Sequence, residues 1–344
     1  MDDDERDMDF LPRLNFFKEK LQRLEQEAKS NSGKMRSQDS WAAIYFRDPY
    51  MIRLTEAQLF ERFCDIYSNL VEIDETGKLT PKPMRLNDDA LLRKWTHLLE
   101  ETGSRGGIKE SLVAAANEQL QAHFADGAPP GVRLFSGVQR PKSPFLVKFS
   151  KKEFIEKMYY SGEIRVSPAS LYSDGSLLHA MQDLETKRNY TIPAYNNLME
   201  GQKSVELDGT LYDITQSDPS VSLEVPNYFL YSLCANTDRR MPTDFQSDAA
   251  LVIKDKRKFL RRFLGALAQK LPGWKTLTGA VSYYDPLLDF QRYHPPEMTK
   301  HIRFHYQKEF RILAKTKKVN TRNLEPFFVS IGSMQDYSEI FSIS

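Results

Sequence analysis

The segment Asp126–Gly131 divides this chain into two parts of different character. It reads Asp-Gly-Ala-Pro-Pro-Gly, and a helix cannot continue through it because proline lacks the backbone N–H and glycine favours other conformations. Before it, apolar residues recur every three or four positions, as in amphipathic helices. After it, short stretches rich in Val, Ile, Phe and Tyr predict strands. We therefore expect an α+β protein with a helical N-terminal domain at 1–130 and a second domain at 131–344.

In the first part, four helices are predicted, near Leu14, at Thr55, after Asn87 and over 108–124. The second has the clearest start, because Gln58 stands three residues after Thr55 and completes a capping-box pattern. Loops are predicted over 30–38 and around Pro81 and Pro83.

In the second part, strands are predicted at 144–149, 163–167, 227–235, 249–253, 279–284, 309–314 and 327–331. Two helices interrupt them. One covers 151–160, with Ser150 and Glu153 as a capping box and Gly162 just past its end, and the other covers 256–270. Few helices among many strands favour α+β over a regular βαβ array.

The composition restricts the function classes. Lys and Arg (48) nearly cancel Asp and Glu (47), so any preference for nucleic acid must be local. The start of the chain is acidic and no apolar run is long enough to cross a bilayer, so we expect a cytoplasmic protein without a membrane partner. Cys64 and Cys234 stand far apart without metal spacing, which predicts neither a disulfide nor a bound metal.

The candidate chemistry lies in Gln307-Lys308-Glu309, at the start of a predicted strand. Alternation along a strand would point Gln307 and Glu309 to one face, about 7 Å apart, twice the rise per residue. This Gln-x-Glu pattern is similar to the signature of ADP-ribosyltransferases, and the segments before it resemble that fold in the family's order. The resemblance covers about residues 144–340 and implies a split β-sheet domain.

The resemblance implies that Glu309 is the catalytic carboxylate and that Gln307 positions the acceptor. NAD is then the substrate, with no metal. Further contacts to NAD are implied on the strand Phe145–Ser150, on the strand after Gly162, on the aromatic loop that follows, and on the strand of the Ser-Leu-Cys motif. These residues are Lys148, Phe149, Ser150, Arg165, Tyr172, Tyr231 and Ser232. Lys148 stands where better-known branches have Arg or His, and Ser232 alone replaces a Ser-Thr-Ser motif.

The chain most resembles a bacterial family long labelled only as a domain of unknown function. Related transferases occur as toxins in phage-defence and toxin–antitoxin modules and can modify nucleic acid. Basic residues such as Lys300, Lys317 and Lys318 surround the Glu309 strand, and aromatic residues that could stack on bases, such as Tyr283 and Tyr293, lie nearby. Together they predict a basic and aromatic border around the site. We therefore expect a nucleic-acid acceptor rather than a protein, contacted by Arg303, Lys308 and Arg311. The N-terminal helices could shield the site, bind an antitoxin or chaperone, or recruit substrate.

Three alternatives stay open. Glu309 could be an ordinary carboxylate that pairs with a neighbouring cation, and Tyr172 and Tyr231 could be core residues. The fold could be a catalytically silent module that binds NAD, nucleic acid or a protein. The residues Asp183, Glu185 and Lys187 superficially match a metal-dependent nuclease, although their surroundings favour a helix where that site needs a strand.

Overall fold

The computed structural model describes residues 9–83, 89–121, 129–136, 144–173, 185–207, 209–290, 295–316 and 323–343. Over these residues the fold is α+β, and a helical N-terminal region precedes the sheet region, which confirms the predicted class. No helix in the described ranges is both long and apolar enough to cross a membrane.

The helices have the following bounds: α1 (Leu11–Ser30), α2 (Ser37–Arg47), α3 (Glu56–Leu70), α4 (Asp89–Ser104), α5 (Glu110–Gln121), α6 (Pro130–Leu134), α7 (Lys152–Ser161), α8 (Tyr195–Met199), α9 (Met241–Asp244) and α10 (Lys256–Lys270). Helices α1, α3, α4, α5, α7 and α10 confirm the predicted elements. Helix α2 was not predicted, and the expected loop over 30–38 ends two residues into it. The reason is that α2 buries both adjacent pairs Ala42–Ala43 and Tyr45–Phe46, so one narrow apolar stripe does not mark it.

The strands have the following bounds: β1 (Val71–Ile73), β2 (Leu79–Pro81), β3 (Leu146–Ser150), β4 (Glu163–Pro168), β5 (Lys187–Thr191), β6 (Ser204–Leu207), β7 (Thr210–Asp213), β8 (Ser220–Glu224), β9 (Phe229–Cys234), β10 (Ala249–Ile253), β11 (Lys275–Ala280), β12 (Ser282–Tyr284), β13 (Thr299–His301), β14 (Glu309–Lys315), β15 (Phe327–Ser330) and β16 (Ser338–Ser342). The predicted strand 279–284 is two strands, β11 and β12. The pairs β1–β2, β5–β8 and β6–β7, together with β13 and β16, were not predicted.

The start of α7 also differs from the prediction. Ser150 is the last residue of β3, and the N-cap is Lys151, which makes no side-chain cap. The backbone N–H of Lys152 instead donates to Asp248 Oδ1 at 2.6 Å. The carboxylate of Asp248, distant in sequence, therefore caps the helix in place of the predicted local capping box. Gly162 ends the helix in the left-handed region, at φ +68°, as predicted.

The start of α3, in contrast, is capped as predicted. The N–H of Gln58 donates to Thr55 Oγ1 at 3.3 Å, and the N–H of Thr55 donates to Gln58 Oε1 at 2.9 Å. We expect Thr55→Ala to lower the free energy of unfolding by about 1 kcal/mol, the usual cost of a lost N-cap. Thr55→Ser keeps the hydroxyl and is the control. Equal stability of the Ala and Ser variants in urea unfolding would contradict this prediction.

The main sheet contains strands in the order β11-β14-β9-β3-β10-β16, and all of these neighbours are antiparallel. On one side, β9 is shared by two strands. It pairs with β3 at Val147↔Cys234 and with β4 at Ser167↔Leu230 and Pro168↔Phe229. Since β3 and β4 hold opposite ends of β9, the sheet opens between them beside residues 231–233.

Alternation along β14 separates a core face from a polar face. Phe310, Ile312 and Ala314 pack in the apolar core together with residues of α7 and α10. Glu309 and Arg311 project from the other face, where Ser232 lies opposite Arg311 in the register with β9. The polar groups therefore collect on the face that α7 and α10 do not cover.

The N-terminal helices share a core with later parts of the chain. Phe17, Phe63 and Leu98 lie in one cluster of buried side chains with Tyr195 and Ile302. The domain boundary near residue 130 stays a prediction. Its proline-glycine segment is described from Pro129, which precedes α6, and residues 122–128 lie outside the described ranges.

Candidate active site

Glu309 is the first residue of β14 and is only 4% exposed. Its backbone N–H donates to the hydroxyl of Tyr283 at 2.7 Å, and its carbonyl accepts from the N–H of Val281 at 3.0 Å. On its other side Glu309 lies opposite Cys234 of β9. The residue is therefore fixed from both neighbouring strands, and its side chain emerges beside the opening in the sheet.

Three side chains hold the Glu309 carboxylate. Ser232 Oγ and Arg311 Nε donate to Oε1, each at 2.7 Å, and Lys300 Nζ donates to Oε2 at 2.7 Å. Burial raises the pKa of Glu309, but the charges and hydrogen bonds of Arg311 and Lys300 outweigh it and bring that pKa well below its usual range. Glu309 is therefore ionised at neutral pH, although it is buried.

Gln307 reaches the same group of side chains by a different geometry from the one predicted. It ends a 3₁₀ helix, Ile302–Gln307, and Lys308 follows in the left-handed region at φ +45°. The expected strand alternation of Gln307 and Glu309 is thus wrong, because only Glu309 is extended. The two side chains meet at the ammonium group of Lys300, which donates to Gln307 Oε1 at 3.0 Å as well as to Glu309.

A second carboxylate extends the network. Arg311 Nη2 donates to Glu185 Oε1 at 2.6 Å, and Arg188 Nη2 donates to Glu185 Oε2 at 3.3 Å. Arg188 and Arg311 are completely buried. Lys300 was expected among the basic residues around the strand rather than at the carboxylate, Arg188 was not predicted, and Glu185 was considered only for a nuclease site. Only the i, i+2 spacing of Glu309 and Arg311 on a strand carried a signal for this network.

Half-buried side chains border the carboxylate. Ser232, Tyr283 and Tyr172 are all partly exposed. Burial, followed by the negative charges of Glu185 and Glu309, raises the pKa of Tyr172 to about 12. Tyr172, from the 3₁₀ helix after β4, therefore lies within electrostatic reach of both carboxylates and stays a neutral hydroxyl.

Lys148 lies at the opening of the sheet. Its Nζ donates to the carbonyl of Ser232 at 3.0 Å and lies 4.7 Å from the ring centre of Tyr231. Burial lowers the pKa of Lys148. The side chain thus satisfies a β9 carbonyl beside the gap between β3 and β4, next to the serine that binds Glu309.

The other predicted contacts to NAD differ in their surroundings. Tyr231 packs against Phe263 in the apolar core, with ring centres 5.1 Å apart, which corrects its assignment to the pocket. Phe149 is buried between Phe135 and Phe245, so it offers no surface to a ligand. Ser150 ends β3. Arg165 is exposed on β4, and its charge acts on Tyr172. Of the predicted contacts to NAD, Lys148, Tyr172 and Ser232 lie nearest to Glu309, and Arg165 lies next to Tyr172.

The predicted nucleic-acid contacts do not form an outward basic surface. Arg311 is 0% exposed and bound to two carboxylates, so the prediction that it contacts a nucleic acid is wrong. Arg303 lies over the ring of Phe304. Burial raises the pKa of Asp65 in α3 to about 7, and the charge of Arg303 offsets part of that rise. Lys308 Nζ contacts the ring of His305. Lys317, Lys318 and Tyr293, which contributed to the basic and aromatic border, lie outside the described residues.

The nuclease alternative finds little support in the geometry. Both oxygens of Glu185 accept hydrogen bonds from arginines, and Asp183 lies outside the described residues. Lys187 begins β5. Within the described ranges no group of three or more His, Cys, Asp or Glu side chains could hold a metal ion.

Comparison with protein-family models, with curated proteins and with solved structures gives no match to this chain.

Proposed function

We propose that this protein is an ADP-ribosyltransferase that uses NAD as its substrate and Glu309 as its catalytic carboxylate. The observation that carries the proposal is a buried, ionised carboxylate fixed by Ser232 at the opening of a split sheet. Among the described residues its oxygens accept three hydrogen bonds, two on Oε1 and one on Oε2. A carboxylate has about four acceptor positions, so Oε2 retains one for a ribose hydroxyl.

The proposed reaction begins with cleavage of the bond between nicotinamide and ribose. The bonding electron pair leaves with nicotinamide, and positive charge develops on the ribose, as in glycoside cleavage. The negative charge of Glu309 stabilises that ribosyl cation. The acceptor then bonds to the ribose carbon and loses its proton. A carboxylate held in place beforehand is effective because it does not have to reorganise during the reaction.

The surrounding residues support distinct parts of this mechanism. Lys300 and Arg311 keep Glu309 ionised and oriented, and Gln307 holds Lys300 rather than an acceptor. Tyr172 and Tyr283, which are aromatic and partly exposed, are the proposed walls for nicotinamide. Lys148, whose Nζ lies beside Ser232 at the opening, is proposed to bind a phosphate of NAD.

The acceptor is proposed to be a macromolecule, and three labelling reactions distinguish its class. Purified protein is incubated with NAD labelled in the adenylate part and with RNA, DNA or protein from cells. We expect one pool to be labelled, with nicotinamide released in parallel. Nicotinamide release without labelling in any pool would indicate a hydrolase. If no nicotinamide is released and no pool is labelled, the proposal is excluded.

A toxin or anti-phage effector is the proposed biological context, and it has its own test. We expect expression of the protein to arrest bacterial growth and Glu309→Gln to relieve the arrest. Normal growth of cells that accumulate the unmutated protein alone would contradict this context without contradicting the enzymatic proposal.

One observation favours a second candidate, a catalytically silent binding module. Glu309 is paired with two cations and is only 4% exposed, an arrangement that a structural ion pair would also have. A silent module for nucleic acid or protein would not be stabilised by NAD, whereas a silent module for NAD would show a higher melting temperature with NAD but release no nicotinamide. Thermal unfolding with and without NAD, combined with the nicotinamide assay, therefore separates the two candidates.

A further inference from the structure

A buried side chain of helix α3 bonds to the segment of the chain just before Glu309. Asn69, in the last turn of α3, is 2% exposed. Its Oδ1 accepts from the N–H of Tyr306 at 2.7 Å, and its Nδ2 donates to the carbonyl of Ile302 at 3.1 Å. The amide therefore bonds to both ends of the 3₁₀ helix 302–307, across more than 230 residues of sequence.

Further contacts hold both the backbone and the ring of Tyr306. Its carbonyl accepts from Asn236 Nδ2 at 2.8 Å, and the guanidinium of Arg240 lies 3.9 Å from its ring centre. Arg240 in turn donates to the carbonyl of Ser68, beside Asn69 at the end of α3. The end of α3 thus fixes both the backbone and the ring of Tyr306.

The next three residues along the chain include two residues of the candidate site, Gln307 and Glu309. Gln307 Nε2 donates to the hydroxyl of Tyr306 at 3.3 Å, and the carbonyl of Lys308 accepts from the N–H of Ala235 at 2.8 Å. Lys308 adopts the left-handed conformation, which a non-glycine residue rarely takes without support from its surroundings. The entry of the chain into this turn, directly before Glu309, therefore depends on how firmly Tyr306 is held.

We propose that α3 is a working part of the candidate active site and that Asn69 is a positioning residue for Gln307 and Glu309. The N-terminal helices then do more than recruit a partner, because one of them sets the geometry of the proposed catalytic carboxylate. The expected effect of Asn69 on NAD turnover rests on the proposed function, whereas its expected effect on the order of residues 302–309 does not.

The test compares Asn69→Ala with Tyr67→Phe. Tyr67, two residues earlier on α3, donates its hydroxyl to Asn117 Oδ1 at 2.9 Å within the helical region. Both variants lose hydrogen bonding of α3, but only Asn69→Ala releases the 302–307 helix. Melting temperatures of both variants measure the general loss of stability, and Asn69→Asp, which keeps Oδ1 as an acceptor for Tyr306, is a second variant should Asn69→Ala fold poorly.

Two measurements decide the proposal. In hydrogen–deuterium exchange, Asn69→Ala should speed exchange of the peptide that contains 302–309, and Tyr67→Phe should not. In NAD turnover, Asn69→Ala should lower kcat on the order of 10- to 100-fold, with KM little changed, since small misplacement of a reacting group has such effects. Equal exchange of 302–309 in the two variants would overturn the proposal. If the unmutated protein does not consume NAD, the proposed function fails, and the exchange measurement still decides the role of Asn69.

Discussion

Replacement of Glu309 by Gln should lower the rate of NAD turnover by about 10²- to 10³-fold, the usual effect of losing one preorganised group that stabilises transition-state charge. Gln keeps the shape of the side chain and an oxygen that can accept from Ser232 or Lys300. It loses the negative charge that would stabilise the ribosyl cation. The expected result is therefore a loss of kcat, measured as nicotinamide release, with a smaller change in KM.

The same substitution also disturbs a buried ion network, so activity and stability have to be separated. Glu309→Gln leaves Lys300 buried without a carboxylate partner, which destabilises the fold. The double variant Glu309→Gln, Lys300→Met removes the uncompensated ammonium as well. We expect the melting temperature to recover in the double variant while turnover stays low. Recovery of turnover together with stability would show that Glu309 has only a structural role.

The sequence identified the carboxylate but not the residues that keep it ionised. Glu309 lies in a short motif on a strand, and local spacing brought attention to it. Lys300 precedes it by nine residues across a strand and a 3₁₀ helix, and Glu185 comes from a distant segment. Their meeting depends on how β13, β14 and the segment before β5 are arranged in space, which no local spacing encodes. The same limit explains why Arg311 was expected on the surface, since its two carboxylate partners could not be known.

The prediction of the fold shows a similar division. The bounds of amphipathic helices such as α3 were predicted well, because burial of one face gives a clear helical periodicity. Strand β10 was found because it is buried on both faces and therefore reads as a short continuous apolar run. The short paired strands β6 and β7 were missed, since their residues are largely exposed and their pairing depends on a turn. Strand β9 was found, but the opening beside it follows from two different pairing partners and could not be predicted from its own residues.

Replacement of Asp285 by Asn should lower the free energy of unfolding by about 3 to 5 kcal/mol, the cost of leaving buried charges without their partner. Arg62 of α3 donates to both carboxylate oxygens of Asp285, at 2.9 and 2.8 Å, and Lys94 of α4 donates at 2.8 Å. Asp285 is completely buried. The matched control is Glu100→Gln, which breaks the partly exposed pair with Lys20 and should cost less than about 1 kcal/mol.

The pH dependence of the effect of Asp285→Asn gives an independent check on the role of the Asp285 charge. Burial raises the pKa of Asp285, but Arg62 and Lys94 outweigh it, so the pKa lies well below its usual range. A carboxyl with a depressed pKa contributes stability above its unfolded pKa of about 3.9, and that contribution is lost as the pH falls towards the folded pKa. The difference in free energy of unfolding between the unmutated protein and Asp285→Asn should therefore be constant near neutral pH and shrink below about pH 4.

The Asp285 ion cluster also bears on the predicted boundary near residue 130. It joins α3 and α4 to the residue after β12, whose Tyr283 accepts the backbone N–H of Glu309. If this contact makes the helical region and the sheet region one cooperative unit, Asp285→Asn will shift a single unfolding transition seen by circular dichroism and by tryptophan fluorescence. If the regions unfold independently, the two probes will separate in the variant. A third outcome is that the two transitions coincide and Asp285→Asn lowers the free energy of unfolding no more than Glu100→Gln does. That result would mean that the apolar core alone joins the regions and that the ion cluster adds no stability.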